Sequence, residues 1–302
     1  MKEKLKDILP FNNREDMPAS RYAAKRMLVF WLCYIVGAFA AEWVVIGLHL
    51  ALGKNILRGE TFGPTTMTVI TNLGFIIFIG AALLYQKLIA REPVSEIGIN
   101  KPFSSFFVGA AAGALLVCLS AVLIILTGKI EFHGVFKEIA VVKILLLSCS
   151  FLVQSTAEEL LCRGLIFLPL MKKTSFTLAY LVSTAMFIIP HLSSFESGAA
   201  LIIMGLVDLM LVSLIFCQLT AHFNSIWAAC GLHAVWNAVL SCVLGLDLSG
   251  NKGAAAAVFD LRSSGKNILN GGKYGIEASI ITAAVLASAA ALLWFLDRKK
   301  KG

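Results

Sequence analysis

Charge is scarce in this chain: Asp, Glu, Lys and Arg make up 15% of its 302 residues, against 58% hydrophobic. Soluble domains carry about 25% charged and roughly 45–50% apolar residues, so a soluble globular class is excluded. No internal repeat is found, whereas transporters are often built from repeats. The seven cysteines (Cys33, Cys118, Cys149, Cys162, Cys217, Cys230 and Cys242) include no CxxC pair and all fall in apolar segments. A disulfide framework and a cysteine zinc site are therefore not expected, and these residues read as small buried hydrophobes. No HExxH and no serine in a nucleophile elbow occurs, which disfavours an ordinary zincin or a serine hydrolase. Acidic residues are outnumbered, 18 against 26 basic, for a net charge of +8. The basic residues gather at the ends and in loops, as topology determinants do, so nucleic acid is not an expected partner.

What is present is a series of long apolar runs. A membrane-spanning helix needs about 20 apolar residues, and such runs fall at 27–52, 65–90, 103–127, 139–168, 174–192, 197–219, 224–246 and 276–296. The expected fold is all-α, a polytopic membrane helix bundle of about eight transmembrane helices. Residues 1–26, with Lys2, Lys4, Lys6, Arg14, Arg21, Lys25 and Arg26, read as a basic cytoplasmic leader. This leader is polar, so no cleavable signal is expected. Residues 27–302 read as a single transmembrane domain. An even number of spans puts both ends on one side, and the basic tail Arg298-Lys299-Lys300-Lys301 makes that side cytoplasmic. In a bacterial cell the membrane is then the plasma membrane. The 247–275 stretch, rich in Gly, Ser and Asn, reads as a flexible loop.

Inside the apolar runs a few polar groups stand out. In the fourth run, Glu158, Glu159 and Arg163 lie within a stretch that is otherwise apolar. Each charge at the bilayer centre costs roughly 2.5–3.5 kcal/mol on insertion scales, and such groups are paired, line wet cavities or do chemistry. Glu159 and Arg163 are spaced i, i+4 with the acid first, the better orientation for a helical ion pair. Glu158 points about 100° away and is left free for proton transfer. Ser155-Thr156-Ala157-Glu158-Glu159 resembles a helix start, and predicts a break near Ser155. The fifth run ends in Phe187-x3-His191, with Pro190 bending the chain before the histidine. The seventh holds His233-x3-Asn237, an imidazole and an amide one turn apart on one face. Asp208 in the sixth run is isolated and reads as a partner for Arg163, His233 or a backbone group. A carboxylate, two histidines and an asparagine form a full set for hydrolysis by water: a base, groups that orient the water, and donors for an oxyanion. A buried charge network without chemistry is the alternative for each motif taken singly.

In these residues the sequence resembles the CPBP family of intramembrane proteases, which contains the type II CAAX prenyl endopeptidases and the bacterial Abi or bacteriocin-processing proteins. The family pattern EExxxR, FxxxH and HxxxN is matched in order by Glu158-Glu159-x3-Arg163, Phe187-x3-His191 and His233-x3-Asn237. The protease-like core covers about 140–243. The resemblance implies an intramembrane endopeptidase that hydrolyses a peptide bond in a membrane-associated or lipidated protein or peptide, with membrane lipid around it. By the same resemblance Glu158 activates water, His191 positions it, and His233 with Asn237 stabilises the oxyanion. Glu159 and Arg163 support the site. The family is described both with and without a metal, so either no cofactor or a divalent metal such as zinc is implied, with Glu158, His191 and His233 as the candidate ligands. Alternatives are a proton- or ion-coupled transporter and a non-catalytic bacteriocin-immunity protein on the same fold. With both ends inside, His191 would sit near the outer face, away from Glu158, unless the fourth run is broken or the fifth continues past His191.

Overall fold

Seven helices are long and apolar enough to cross a membrane, by length and composition, among the described residues of a computed structural model. Those residues are 8–14, 16–99, 102–195, 198–252 and 256–299. In chain order the helices are α1 (Ala19–Ala51), α2 (Pro64–Ile89), α3 (Ser105–Leu126), α4 (Val141–Lys173), α5 (Phe176–Ser194), α6 (Ala199–Phe223) and, last, α8 (Ile280–Lys299). The shorter apolar helix Trp227–Val243 is α7. Eight apolar runs thus give eight helices, but α7 is shorter than a span. Its position explains why: most of its residues are buried by other helices and none is exposed, so it need not match the lipid thickness. The fold is an all-α polytopic bundle.

Two local features set the helix ends around the core. Ser175 caps α5, its hydroxyl accepting from the Leu178 amide at 3.3 Å, which allows the tight α4–α5 turn. Asn224 ends α6 in the left-handed conformation, φ 47°, a geometry that Asn tolerates better than most residues. The loops after α3 and α7 meet in a two-stranded antiparallel sheet, β1 (Ile130–Val135) and β2 (Phe259–Ser263), with Phe132 opposite Leu261.

Helix α7 is held by backbone contact rather than by long side chains. A Cβ on Gly109 of α3 would lie 1.8 Å from the Ala228 carbonyl oxygen, and one on Gly113 would lie 2.5 Å from that of Leu232. In the other direction, a Cβ on Gly231 would lie 2.1 Å from the Phe106 oxygen. The Gly109-x3-Gly113 stripe is the small-residue interface by which membrane helices approach closely. It fixes the helix that carries His233 and Asn237.

Several expectations need correction. Helix α1 starts at Ala19, inside the stretch read as a leader, and buries Lys25 and Arg26. The Arg26 guanidinium donates to the Tyr22 hydroxyl at 2.7 Å and lies 3.4 Å from Glu92. Lys2, Lys4, Lys6, Lys300 and Lys301 lie outside the described residues. No break occurs at Ser155. Helix α4 runs on through Glu159 into a π-helical segment, Leu160–Phe167, whose eight residues are all buried. Burial within a continuous helix satisfies the backbone, so the hydroxyl–acid pattern at 155–159 does not start a new one. The loop expected to be flexible is tied down: the Asn270 side chain donates to the carbonyls of Lys129, Ser264 and Gly265. Five cysteines are buried, but Cys118 and Cys149 are exposed on the outer surface of the bundle.

Candidate active site

The turn between α4 and α5 aligns the first two motifs. Glu158 lies 15 residues before Lys173, the end of α4, and His191 lies 15 residues after Phe176, the start of α5. Equal counts on two helical arms put both at a similar height above the turn, and both line one cavity. The antiparallel hairpin therefore brings them to one level, and neither a broken α4 nor a longer α5 is required. Pro190 contributes by tightening Ile189–Ser194 into a 3₁₀ segment that carries His191.

Glu158, His191, His233 and Asn237 all line one cavity of about 720 Å3. This lies within the usual range for ligand clefts, about 300–1,000 Å3. Gln154, one turn before Glu158 on α4, joins two of the motifs. Its amide nitrogen donates to Glu158 Oε1 at 2.6 Å, and its oxygen accepts from Asn237 Nδ2 at 3.2 Å. Glu158 Oε2 is buried without a hydrogen-bond partner among the described residues. It faces His233 Nε2 at 3.8 Å.

Behind this layer lies a fully buried charge chain. Glu159 Oε1 accepts from Arg163 Nη1 at 3.2 Å and from His233 Nδ1 at 3.0 Å. Arg163 also donates to Ser213 Oγ at 2.7 Å. Its guanidinium lies between the rings of Phe187 and Phe216, at 4.7 and 4.8 Å from their centroids. Buried charges persist when paired and hydrogen-bonded, and the two aromatic faces add cation–π attraction. His233 stacks on Phe216 at 5.2 Å. Phe187 has a second task, because its carbonyl accepts from His191 Nδ1 at 2.8 Å.

These bonds set the histidine tautomers. A carboxylate and a carbonyl can only accept, so Nδ1 of both rings carries the hydrogen. In the neutral ring, Nε2 is then a lone-pair acceptor on each histidine. Among the described residues, no three His, Cys, Asp or Glu side chains gather as a metal site requires. Glu158, His191 and His233 share the cavity wall without closing into such a cluster.

Asp208 does not pair with Arg163 or His233. It is 2% exposed, lines the same cavity, and has neither carboxylate oxygen in a hydrogen bond among the described residues. Glu277, just before α8, was not among the expected site residues. It accepts from Trp236 Nε1 at 3.0 Å, and from the Ser249 amide and hydroxyl at 2.6 and 2.9 Å. It thereby ties the α7–α8 loop to the helix turn between His233 and Asn237. Gln154 was visible in principle as a polar residue four before Glu158, and Glu277 as an acid at the start of the 276–296 run, although its partners are distant in sequence.

Residues 140–239 match the family model described as type II CAAX prenyl endopeptidase Rce1-like. The matched stretch begins just before α4 and ends in α7, and it contains all three motifs. Comparisons with curated proteins and with solved structures gave no match.

Proposed function

We propose, from the match of residues 140–239 to the Rce1-like type II CAAX prenyl endopeptidase model, that this chain is a CAAX-type protease of the CPBP family and hydrolyses a peptide bond in a membrane-associated or lipidated protein or peptide, with Glu158 activating the water. The observation that carries this reading is the convergence of Glu158, His191, His233 and Asn237, from three helices, on one cavity.

The residues divide the work as their hydrogen bonds dictate. Glu158 Oε1 is held by Gln154, which leaves Oε2 to take a proton from water. The water's other hydrogen donates to one Nε2 lone pair, that of His191 or of His233, which orients the oxygen toward the carbonyl carbon. A C–O bond forms as the carbonyl π pair moves onto its oxygen. Asn237 uses one N–H on Gln154 and has a second for that oxyanion. Collapse breaks the C–N bond, and the proton held on Glu158 passes to the departing amine. His233 enters as a water-orienting group in this scheme, because with Nδ1 donating to Glu159 only the imidazolium could donate from Nε2. No step passes through a metal.

The test uses protein purified into nanodiscs and offered lipidated and unlipidated membrane peptides. Wild type is expected to cleave, and Glu158→Ala to fold but to lose about 10²–10⁴-fold in rate. Undiminished cleavage by Glu158→Ala would sink the assignment. Solute or proton flux through empty liposomes carrying the protein, without cleavage, would favour the carrier reading.

A further inference from the structure

The cavity holds a second polar cluster that the hydrolytic scheme does not use. Asp208 on α6 is nine-tenths buried, lines the cavity, and leaves both carboxylate oxygens unsatisfied. The Thr282 hydroxyl on α8 is fully buried, lines the same cavity and also lacks a hydrogen-bond partner. Glu277 lines the same cavity. The Ser279 backbone approaches Asp208 without meeting it in a hydrogen bond. Among the described residues no ion pair joins Asp208 or Glu277 to a cation of this chain, and Lys252, which lines the exposed rim of the cavity, pairs with neither.

An unpaired buried carboxylate is costly. A group that completes its ionised form brings donors and positive charge. An ammonium has three N–H donors and no acceptor, and a guanidinium has five, enough in number for both Asp208 oxygens and the Thr282 hydroxyl. The surrounding wall is apolar, which suits an aliphatic stem carrying a charged head.

We propose that Asp208, Thr282 and Glu277 form a subsite for one basic side chain of the substrate, taking its ammonium or guanidinium head while Leu209, Val212 and Leu286 cover the stem. The inference rests on the protease reading for the identity of the ligand, since the subsite and Glu158 open onto one cavity. It makes substrate charge a determinant of specificity.

The test measures binding to the Glu158→Gln protein in nanodiscs of phosphatidylcholine, a lipid with no primary amine. Fluorescent membrane peptides carry one lysine moved stepwise along the sequence, each with a norleucine counterpart and an acetylated N-terminus. At one position the lysine peptide is expected to bind at least about tenfold tighter than its counterpart, a difference of about 1.4 kcal/mol. Asp208→Asn should remove that preference and leave norleucine-peptide binding unchanged. Thr282→Val should weaken the same preference, and serves if Asp208→Asn does not fold. Equal affinity at every position, a preference that survives Asp208→Asn, or no binding at all overturns the subsite. Asp208-dependent retention of phosphatidylethanolamine, with no lysine preference, overturns the peptide assignment in favour of a lipid amine. Cleavage of the same peptides by wild type separates the two readings. Cleavage without a charge preference removes only the subsite, and binding preference without cleavage removes only the protease.

Discussion

Glu159 holds His233 Nδ1 at 3.0 Å with the same carboxylate oxygen that holds Arg163 at 3.2 Å. An ion pair within one helix is thereby also the orienting group for a histidine on another. Structure and chemistry share one oxygen, so damage to the pair should reach the reaction.

Arg163→Met should destabilise the protein by about 3–5 kcal/mol, the usual consequence of leaving a buried partner charge alone. Arg163→Lys should rescue little, because an ammonium cannot lie flat between Phe187 and Phe216 while bonding Glu159 and Ser213. Glu159→Gln should keep more of the fold but lower kcat by about 10–100-fold, as loss of a histidine-orienting partner does in other sites. Thermal unfolding and cleavage rates on the same preparations separate the two effects.

Gln154→Leu should lower kcat with little change in stability. It releases Glu158 Oε1 and Asn237 Nδ2 together, so the double variant with Asn237→Ala should lose less than the product of the single losses. A double-mutant cycle on cleavage rate reads this coupling. Strict additivity would show that the two act independently.

Gly109→Ala and Gly113→Ala should each destabilise by about 1–3 kcal/mol, the range for overpacking, because the added methyl meets backbone of α7. Gly80→Ala is the control. Nothing lies within 4 Å of a Cβ there, and Ala is the better helix former, so this variant should be neutral or stabilising. Thermal unfolding in detergent compares the three.

Glu277 lies outside the spanning helices, and burial holds its carboxyl above the ordinary value of 4.5, against the lowering effect of the Ser249 and Trp236 donors. The native state therefore keeps this proton at pH values where the unfolded chain has lost it. Stability from this group is greatest below about pH 4.5 and falls as pH rises toward the raised native value. Glu277→Gln should flatten that decline, so the stability difference between variant and wild type should move in the variant's favour across the interval. Thermal unfolding at closely spaced pH values checks the slope, and parallel curves would contradict it.

Much of the fold was legible in the sequence because hydrophobic length is a local property. Each of the eight apolar runs overlaps one helix. Spacing carried the motifs equally far, since i, i+4 places Glu159 with Arg163 and His233 with Asn237 on single helix faces. The reading of Ser155 as a break failed because a hydroxyl–acid pattern marks a helix start only where the chain can leave the helix, and here packing against its neighbours keeps it helical. Asp208, read as a partner for Arg163, His233 or a backbone group, pairs with neither of those side chains for the same kind of reason: which helix faces an isolated carboxylate is not encoded near it.

The sequence by itself determined that this chain is a membrane bundle and which side chains are too polar for their surroundings, because composition and helical periodicity act over a few residues. The tertiary structure alone decided that the α4–α5 turn sets Glu158 level with His191, that Gly109 and Gly113 press α7 into place, and that Glu159 serves Arg163 and His233 at once. Those relations depend on contacts between residues up to 119 positions apart, as in Gly109 and Ala228, and only packing in three dimensions selects them.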